Sequence, residues 1–295
     1  MTRLNSTLII GGDSQLGREL ESQLTAAGER VVVTTRRRDT LAEHRVYLDL
    51  ATIRDEQVPT ADVAYLCAGA TSLEVCHQHP ASTRQVNVEG AVELAETLVN
   101  HGAFVVFLST NLVFDGTAPH VCADAERKPT TVYGQQKAEA ERRLLELGGR
   151  VAVVRLAKVL PQHFPLFHSW RQQLMEGQCV RAFVDLSIAP VPLDFVVELL
   201  GRIGGDCLSG IWQASASEQI SYNDIAKRLA DRCHVSKELV CGVSALEYEP
   251  LNGELPKYST LDATRLESEL GLRVPDAWST VERTLAHTID RSGDE

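Results

Sequence analysis

The sequence predicts an α/β protein built on a doubly wound parallel β-sheet, and three observations support this fold class. Short apolar runs rich in β-branched residues recur at 7–10, 31–34, 63–67, 104–109 and 151–156. Such runs are typical of strands that a parallel sheet buries on both faces. Amphipathic helical patterns separate the runs, and each strand with its helix forms a unit of about 30 residues. This alternation implies right-handed crossovers and helices on both faces of the sheet.

The helices are predicted from the spacing of apolar residues and from the residues at their ends. Leu16, Leu20 and Leu24 recur every four residues, and Gly28 stands where a C-terminal cap belongs. This pattern predicts an amphipathic helix directly after the first strand. Further helices are predicted over about 81–100, after Tyr133 up to the glycines at 148–149, around 221–234 and around 262–270.

The regular alternation of strand and helix changes after Leu156. Prolines at 161, 165, 190 and 192 interrupt short segments ahead of the last two predicted helices. With 295 residues and 44% hydrophobic content, the chain is long enough for a main domain and a smaller lobe. We therefore expect a main domain over 1–160 and a smaller C-terminal lobe over 161–295, with the two interleaved.

The net charge of −11 argues against nucleic-acid and membrane partners, because it repels phosphates and anionic lipids. Three consecutive arginines at 36–38 form a basic cluster, and it is short. The apolar run at 7–10 is too short for a signal-peptide core, and no later stretch approaches the length of a membrane span. A cytoplasmic location is therefore expected.

The cysteines argue against a disulfide framework and against a zinc site. There are seven, an odd number, and none belongs to a C-x-x-C pair. They are predicted to be buried thiols. Cys76, His77 and His79 have metal-binding side chains, but Pro80 follows at once and no fourth ligand is evident, so no metal site is predicted.

A glycine-rich turn follows the first predicted strand and opens the first helix. Its residues with a predicted role in binding are Gly11, Asp13, Ser14, Gln15, Leu16 and Gly17. A turn without bulky side chains lets the backbone approach a pyrophosphate, and the amides at a helix start stabilise its negative charge. Judged from the motif alone, the alternative is a tight turn that binds no ligand. Its position after the first strand favours a Rossmann-like dinucleotide site.

The end of the second predicted strand bears on the choice of cofactor. Arg36 and Arg37 stand where a fold selective for NAD would carry an acidic residue, and arginine there can receive a 2′-phosphate. These residues favour NADP(H) over the alternative cofactor, NAD(H). Alternatively, the arginines are a charge run that water solvates and that binds no cofactor. Asp49, followed by Leu50, either accepts a hydrogen bond from the adenine amino group or caps a strand end.

A Y-x-x-x-K motif at Tyr133 and Lys137 and the stretch S-T-N-L-V-F-D-G at 109–116 carry a family resemblance. Together with the glycine turn and N-V-E-G at 87–90, they resemble the extended short-chain dehydrogenases/reductases, and more narrowly the dTDP-4-dehydrorhamnose reductase family. The closing segment at 258–272 is also similar to that family. The likeness covers nearly the whole chain and is strongest over 8–156.

The resemblance implies an NADPH-dependent reductase of the 4-keto group of a nucleotide-activated deoxysugar. Tyr133 would donate the proton that the developing alkoxide needs, and Thr110 would hydrogen-bond the reacting oxygen. Lys137, one helical turn from Tyr133, would lower the pKa of the phenol and bind the nicotinamide ribose. Ala68 and Gly69 would also contact the cofactor. The resemblance assigns NADP(H) to 1–160 and the sugar nucleotide to 161–295, and it suggests a homodimer.

Two departures from the family pattern bear on these expectations. Ser14 stands in place of the middle glycine, so its side chain either pushes the backbone away from the pyrophosphate or hydrogen-bonds a phosphate or the helix start. Asn111 and Leu112 provide no acid or base after Thr110, which disfavours a dehydratase. The alternatives are another extended reductase-type enzyme, such as an NAD(P)-dependent epimerase, and a non-catalytic NADP-binding regulatory subunit.

Overall fold

A seven-stranded β-sheet organises the chain in the computed structural model, which describes residues 6–53, 58–247 and 256–290. The described strands are β1 (Ser6–Ile10), β2 (Arg30–Thr35), β3 (Arg45–Tyr47), β4 (Val63–Leu66), β5 (Phe104–Thr110), β6 (Val151–Leu156), β7 (Val159–Leu160), β8 (Val180–Phe183), β9 (Ser187–Ile188), β10 (Val191–Pro192), β11 (Gly210–Ala214), β12 (Ile220–Ser221) and β13 (Val240–Val243). The order in the large sheet is β11-β6-β5-β4-β1-β2-β3. β1 pairs in parallel with both β2 and β4, so the connections run in both directions from it. The predicted doubly wound α/β fold is confirmed.

The helices lie between these strands and after them. They are α1 (Gln15–Ala26), α2 (Leu73–Gln78), α3 (Pro80–Arg84), α4 (Ala91–Asn100), α5 (Val132–Leu145), α6 (Pro165–Met175), α7 (Leu193–Gly205), α8 (Tyr222–Arg232), α9 (Thr264–Leu270) and α10 (Ala277–Asp290). Leu20 and Leu24 of α1 are buried, as the four-residue spacing predicts. No helix in the described part of the chain is long and apolar enough to cross a membrane.

The region predicted as one helix over about 81–100 is interrupted. A π-helical turn at Gln85–Gly90 lies between α3 and α4. A Cβ on Gly90 would lie 1.8 Å from the Leu50 carbonyl oxygen, so only glycine allows this close approach of helix and loop. The wide turn also brings Asn87 into the interior, where its side chain is buried. π-turns of this kind are frequent at functional sites.

The chain divides into two packed units. The first contains 1–114, 126–155 and 196–212, and the second contains 115–125, 156–195 and 213–295. The segments alternate along the sequence, so the two units are interleaved. The second unit has a core of its own, in which Phe167, Trp170 and Leu229 are buried. The separate binding roles of 1–160 and 161–295 stay a prediction.

The expectation that the cysteines are buried thiols is wrong for several of them. Cys179 and Cys241 form a disulfide, with 6.2 Å between their Cα atoms. The parallel pairing of β8 and β13 sets Val180 opposite Val240, and the two cysteines lie diagonally across that pair although 62 positions separate them in the sequence. The spacing of cysteines along a chain does not reveal such a tertiary neighbour. Cys122 and Cys207 are exposed.

Candidate active site

A cavity of about 240 Å³ opens in the first unit, beside the carboxyl ends of β1, β2 and β4. In doubly wound sheets, ligands bind where connections leave a central strand in opposite directions, and β1 is such a strand here. Eight of the predicted cofactor residues line the cavity, namely Gly11, Asp13, Ser14, Arg36, Asp49, Leu50, Ala68 and Gly69. The lining does not include the other predicted residues, Gln15, Leu16, Gly17, Arg37, Tyr133 and Lys137. Small-molecule sites usually have about 300–1,000 Å³, so this cavity is slightly smaller than usual.

The glycine turn packs against the segment that follows β4 and is closed by the Ser14 side chain. Gly11 has a φ of 96°, and a Cβ there would lie 2.8 Å from the Ala68 nitrogen. The Ser14 hydroxyl accepts a hydrogen bond from the Gly17 N–H (2.9 Å) and donates one to the Gly11 carbonyl (2.8 Å). Of the possibilities for Ser14, the helix-start bond is therefore the one observed, and the serine closes the turn while capping α1.

The carboxylate of Asp13 is turned toward the end of β2. It accepts a hydrogen bond from the Thr35 hydroxyl (2.7 Å) and forms an ion pair with Arg45. The Thr35 hydrogen bond, followed by the positive charge of Arg45, holds the pKa of Asp13 below its usual value. Arg36 and Arg37 are exposed, and only Arg36 of the two lines the cavity. Arg45 was not predicted, because its contact with Asp13 depends on the pairing of β2 with β3.

Asp49 also lines the cavity. Its Oδ1 accepts a hydrogen bond from the Ala51 N–H (3.0 Å), and its carbonyl accepts one from the Thr52 N–H (3.0 Å). Asp49 therefore caps the turn after the strand, which is one of the two roles predicted for it. Leu50 beside it is buried.

Lys137 connects the cavity to the predicted catalytic residues. Its Nζ donates to the Leu108 carbonyl (2.9 Å) and lies 4.3 Å from the centroid of the Phe107 ring. A Cβ on Gly69, in the cavity wall, would lie 3.8 Å from Nζ. Because a lysine ammonium has three hydrogens to donate, the bond to Leu108 leaves it able to bind a ligand beside Gly69.

Thr110 and Tyr133 belong to elements that pack tightly together. Thr110 ends β5, and its hydroxyl oxygen accepts a hydrogen bond from the Leu112 N–H (3.2 Å) in the short 3₁₀ turn that follows. A Cβ on Gly134 would lie 2.1 Å from the Leu112 carbonyl oxygen, so the first turn of α5 sits directly on that 3₁₀ turn. Asn111 accepts a hydrogen bond from Thr110 (3.4 Å) and contributes no acid or base.

The pKa values of Tyr133 and Lys137 are both governed by burial. Burial raises the pKa of the Tyr133 phenol, and the nearby Cys76 contributes in the same direction. Burial lowers the pKa of Lys137 from its usual 10.5 to about 8. Desolvation is the main cause of the Tyr133 shift. The predicted lowering of the phenol pKa by Lys137 stays a prediction. At neutral pH Tyr133 is protonated, as a proton donor must be.

Asn87 and Gln136 support the cavity wall, and neither was predicted as a site residue. The Asn87 amide accepts a hydrogen bond from the Ala70 N–H (2.8 Å) and donates to the Ala70 carbonyl (2.9 Å). It also donates to Gln136 on α5 (2.8 Å). This network fixes the strand end that carries Gly69. The sequence signal was present in the N-V-E-G segment that contributes to the family resemblance.

A buried ionic cluster lies one helical turn beyond Lys137. Glu141 is fully buried, accepts a hydrogen bond from the Ser109 hydroxyl (2.5 Å) and pairs with Arg155 on β6 through Nη2 (2.7 Å). Because Ser109 is next to Thr110, the cluster fixes α5 against the end of β5. A regular spacing of four residues separates Tyr133, Lys137 and Glu141, and this spacing could have indicated Glu141.

Comparison with known proteins gives relatives of two kinds. A dTDP-4-dehydrorhamnose reductase from Aggregatibacter actinomycetemcomitans is 25% identical over 288 residues, which are 92% of this chain and 95% of that protein. Methionine adenosyltransferase 2 subunit beta from Xenopus tropicalis is 32% identical over 229 residues, which are 71% of this chain and 65% of that protein.

Solved structures share the fold over nearly the whole chain. One is dTDP-4-dehydrorhamnose reductase from Bacillus anthracis str. Ames in complex with NADP, with a TM-score of 0.82, 19% identity and coverage of 98% of this chain and 99% of that one. Another is MoeE5 in complex with UDP-glucose and NAD, with a TM-score of 0.83, 19% identity and coverage of 98% and 100%. These neighbours bind NADP or NAD.

The family itself is established by a family model that matches residues 5–290, described as the RmlD substrate binding domain. This match confirms the resemblance predicted from the glycine turn, the S-T-N-L-V-F-D-G stretch and the Y-x-x-x-K motif. The chain belongs to the RmlD substrate binding domain family.

Proposed function

We propose that the protein is an NADPH-dependent reductase of the 4-keto group of a nucleotide-activated deoxysugar. One observation carries the proposal. Gly69 lines the cavity beside the glycine turn, and it also lies next to the ammonium of Lys137. A dinucleotide whose adenosine half occupies the cavity would extend along Gly69 toward Lys137. Its reactive end would then lie among the residues predicted to handle protons.

The glycine turn fits the cofactor for a reason that is independent of the family. The conformation of Gly11 and the closeness of Ala68 leave no room for a side chain, so the backbone amides at the start of α1 stay accessible to a pyrophosphate. Arg36 in the cavity wall supports NADP(H) over NAD(H), because its guanidinium can pair with a 2′-phosphate. NAD(H) is the alternative cofactor.

In the proposed reaction, the bound nicotinamide supplies a hydride. As the new C–H bond forms, the electrons of the C=O bond move onto the oxygen, where Thr110 donates a hydrogen bond to the developing charge. The Tyr133 O–H bond breaks and its proton goes to that oxygen, which leaves a phenolate on Tyr133. Lys137, while protonated, stabilises the phenolate until solvent returns a proton.

The test is the Tyr133→Phe variant, which removes one oxygen atom. Turnover of NADPH with a panel of 4-keto nucleotide sugars should fall at least about a hundredfold, since general acid catalysis typically contributes that much. The Kd for NADPH should stay within about twofold of the wild-type value. Retained turnover would contradict the assignment.

Tyr65→Phe provides the matched control. Tyr65 is another buried tyrosine, on β4, and its hydroxyl donates to the Leu200 carbonyl of α7 (3.2 Å). Loss of this hydrogen bond should lower the free energy of unfolding by about 1 kcal/mol and leave turnover unchanged. A loss of turnover in both variants would point to a general effect of removing a buried hydroxyl rather than to chemistry at Tyr133.

A second candidate is a nucleotide-binding regulatory subunit. It rests on the similarity to methionine adenosyltransferase 2 subunit beta, which is 32% identical over 71% of this chain in the Xenopus tropicalis protein. Binding of NADPH without oxidation by any 4-keto nucleotide sugar, in wild-type protein with intact Thr110, Tyr133 and Lys137, would support this candidate over the reductase.

A further inference from the structure

We propose that the Asp13–Arg45 ion pair sets the choice between NADPH and NADH. In this proposal Asp13 accepts a hydrogen bond from the adenosine ribose, and Arg45 offsets the charge of Asp13 so that a 2′-phosphate is tolerated beside it. The proposal deepens the proposed function, because it requires dinucleotide binding in the same cavity.

The position of the Asp13 carboxylate is the first argument. Asp13 belongs to the glycine turn, but Thr35, the last residue of β2, holds the carboxylate through a 2.7 Å hydrogen bond. The carboxylate therefore lies at the end of β2 and in the wall of the cavity. An acidic residue at that place selects unphosphorylated ribose in dinucleotide folds, where it usually comes from the strand itself. Here the acid comes from the preceding turn.

The partner of Asp13 is the second argument. Arg45 and Asp13 side chains are only 19% and 29% exposed, so their charges are poorly screened by water. The Arg45 Nε also reaches the Thr40 hydroxyl (3.4 Å), which holds the guanidinium from a second side. Among the residues that the structure describes, Arg45 is the cation in direct ion-pair contact with Asp13.

The remaining arginines nearby are arranged differently. Arg36 and Arg37 are exposed, and Arg38 stacks over the Tyr47 ring at 3.9 Å from its centroid. With the Asp13–Arg45 pair intact, Arg45 offsets the Asp13 charge and Arg36 can attract a 2′-phosphate. Without Arg45, the Asp13 carboxylate would repel that phosphate. Without the Asp13 charge, Arg45 would add a second attraction.

The two single substitutions should consequently shift selectivity in opposite directions. NADPH and NADH are titrated separately against the full-length protein at low ionic strength, with nucleotide fluorescence as the readout, and the ratio of the two Kd values is compared. Arg45→Met should lower the preference for NADPH roughly tenfold, and Asp13→Asn should raise it severalfold. The double variant should return close to the wild-type ratio.

Two further variants separate charge from packing. Arg45→Lys keeps the charge and should keep the ratio within about threefold. Arg30→Met removes a positive charge at the opposite end of β2, where Arg30 is exposed, and should leave the ratio unchanged. Far-UV circular dichroism and thermal midpoints confirm that each variant is folded.

The outcomes separate this inference from the proposed function. Ratios unchanged in both single variants, or shifted in the same direction, would overturn the role of the ion pair while leaving the reductase proposal intact. Opposite shifts without any turnover would support the ion pair and count against the reductase. Wild-type protein that binds neither nucleotide would overturn both.

Discussion

Replacing Glu141 with glutamine tests whether the buried ionic cluster holds α5 in place. The substitution preserves the shape of the side chain and removes its charge. Glu141 is fully buried, and it is held by Ser109 and by two nitrogens of Arg155, Nε at 3.0 Å and Nη2 at 2.7 Å. Arg155 is itself only 1% exposed, so the substitution removes a full negative charge from beside a guanidinium that water does not reach.

The expected cost follows from that burial. Removing one partner of a buried ion pair typically costs about 3–5 kcal/mol, most of it the penalty for the charge left behind. Arg127 is further away, at 3.4 Å, and 28% exposed, so it adds little. We expect Glu141→Gln to lower the free energy of unfolding by about 3–5 kcal/mol. Replacing both Glu141 and Arg155 with apolar residues should cost less than the sum of the single changes.

Urea unfolding followed by tryptophan fluorescence and circular dichroism measures this cost. Glu146→Gln is the matched control, because Glu146 lies just past the same helix and pairs with Arg142 at 2.6 Å with both side chains more than half exposed. Such a surface pair contributes at most about 0.5 kcal/mol. The stabilising role assigned to this cluster is wrong if Glu141→Gln lowers the free energy of unfolding by less than about 1 kcal/mol, or by no more than the control does.

Three further predictions concern packing, pH and the disulfide. Gly90→Ala should lower stability by about 1–3 kcal/mol or more and weaken NADPH binding, because the new methyl group would lie 1.8 Å from the carbonyl of the cavity residue Leu50. Gly201→Ala is the control, because the nearest atom would be 4.0 Å from the new methyl group, and thermal denaturation should show no loss of stability. Burial lowers the pKa of Lys137 to about 8 in the folded protein, against an ordinary lysine value of 10.5 for the exposed side chain. The unfolding free energy of the wild type relative to Lys137→Met should therefore rise with pH between these values, and a fall would contradict the burial of the ammonium. Reduction of the Cys179–Cys241 disulfide, which closes a loop with a sequence separation of 62, should lower the free energy of unfolding by about 4 kcal/mol. Unreduced, unfolded protein should show five titratable thiols among its seven cysteines, and seven thiols would refute the pairing.

Features that depend on neighbours in the sequence were predictable. The five main strands and the amphipathic character of α1 follow from local periodicity, and the glycine turn follows from its place between them. Tyr133 and Lys137 share a helix, so their four-residue spacing was visible without a structure. The predicted roles of these residues in binding and catalysis stay predictions.

Features that depend on pairing between distant segments were not predictable. Asp13 meets Arg45 only because β3 adds to the sheet beside β2, and Cys179 meets Cys241 only because β8 pairs with β13. The π-helical turn depends on the contact between Gly90 and Leu50, which are 40 positions apart, and an apolar pattern cannot distinguish it from an ordinary helix. The burial that raises the pKa of Tyr133 is likewise a property of the whole packed unit.

The serine that interrupts the glycine pattern has a consequence for the entropy of binding. The Ser14 hydroxyl is bonded to both ends of the turn, so it restrains the loop in the free protein. Ordering the backbone of a flexible loop costs about 1–2 kcal/mol per residue, and a loop that is already ordered subtracts none of this from the binding free energy. A glycine at this position would leave a freer loop that a ligand has to order. Ser14 thus makes rigidity a property of the free protein.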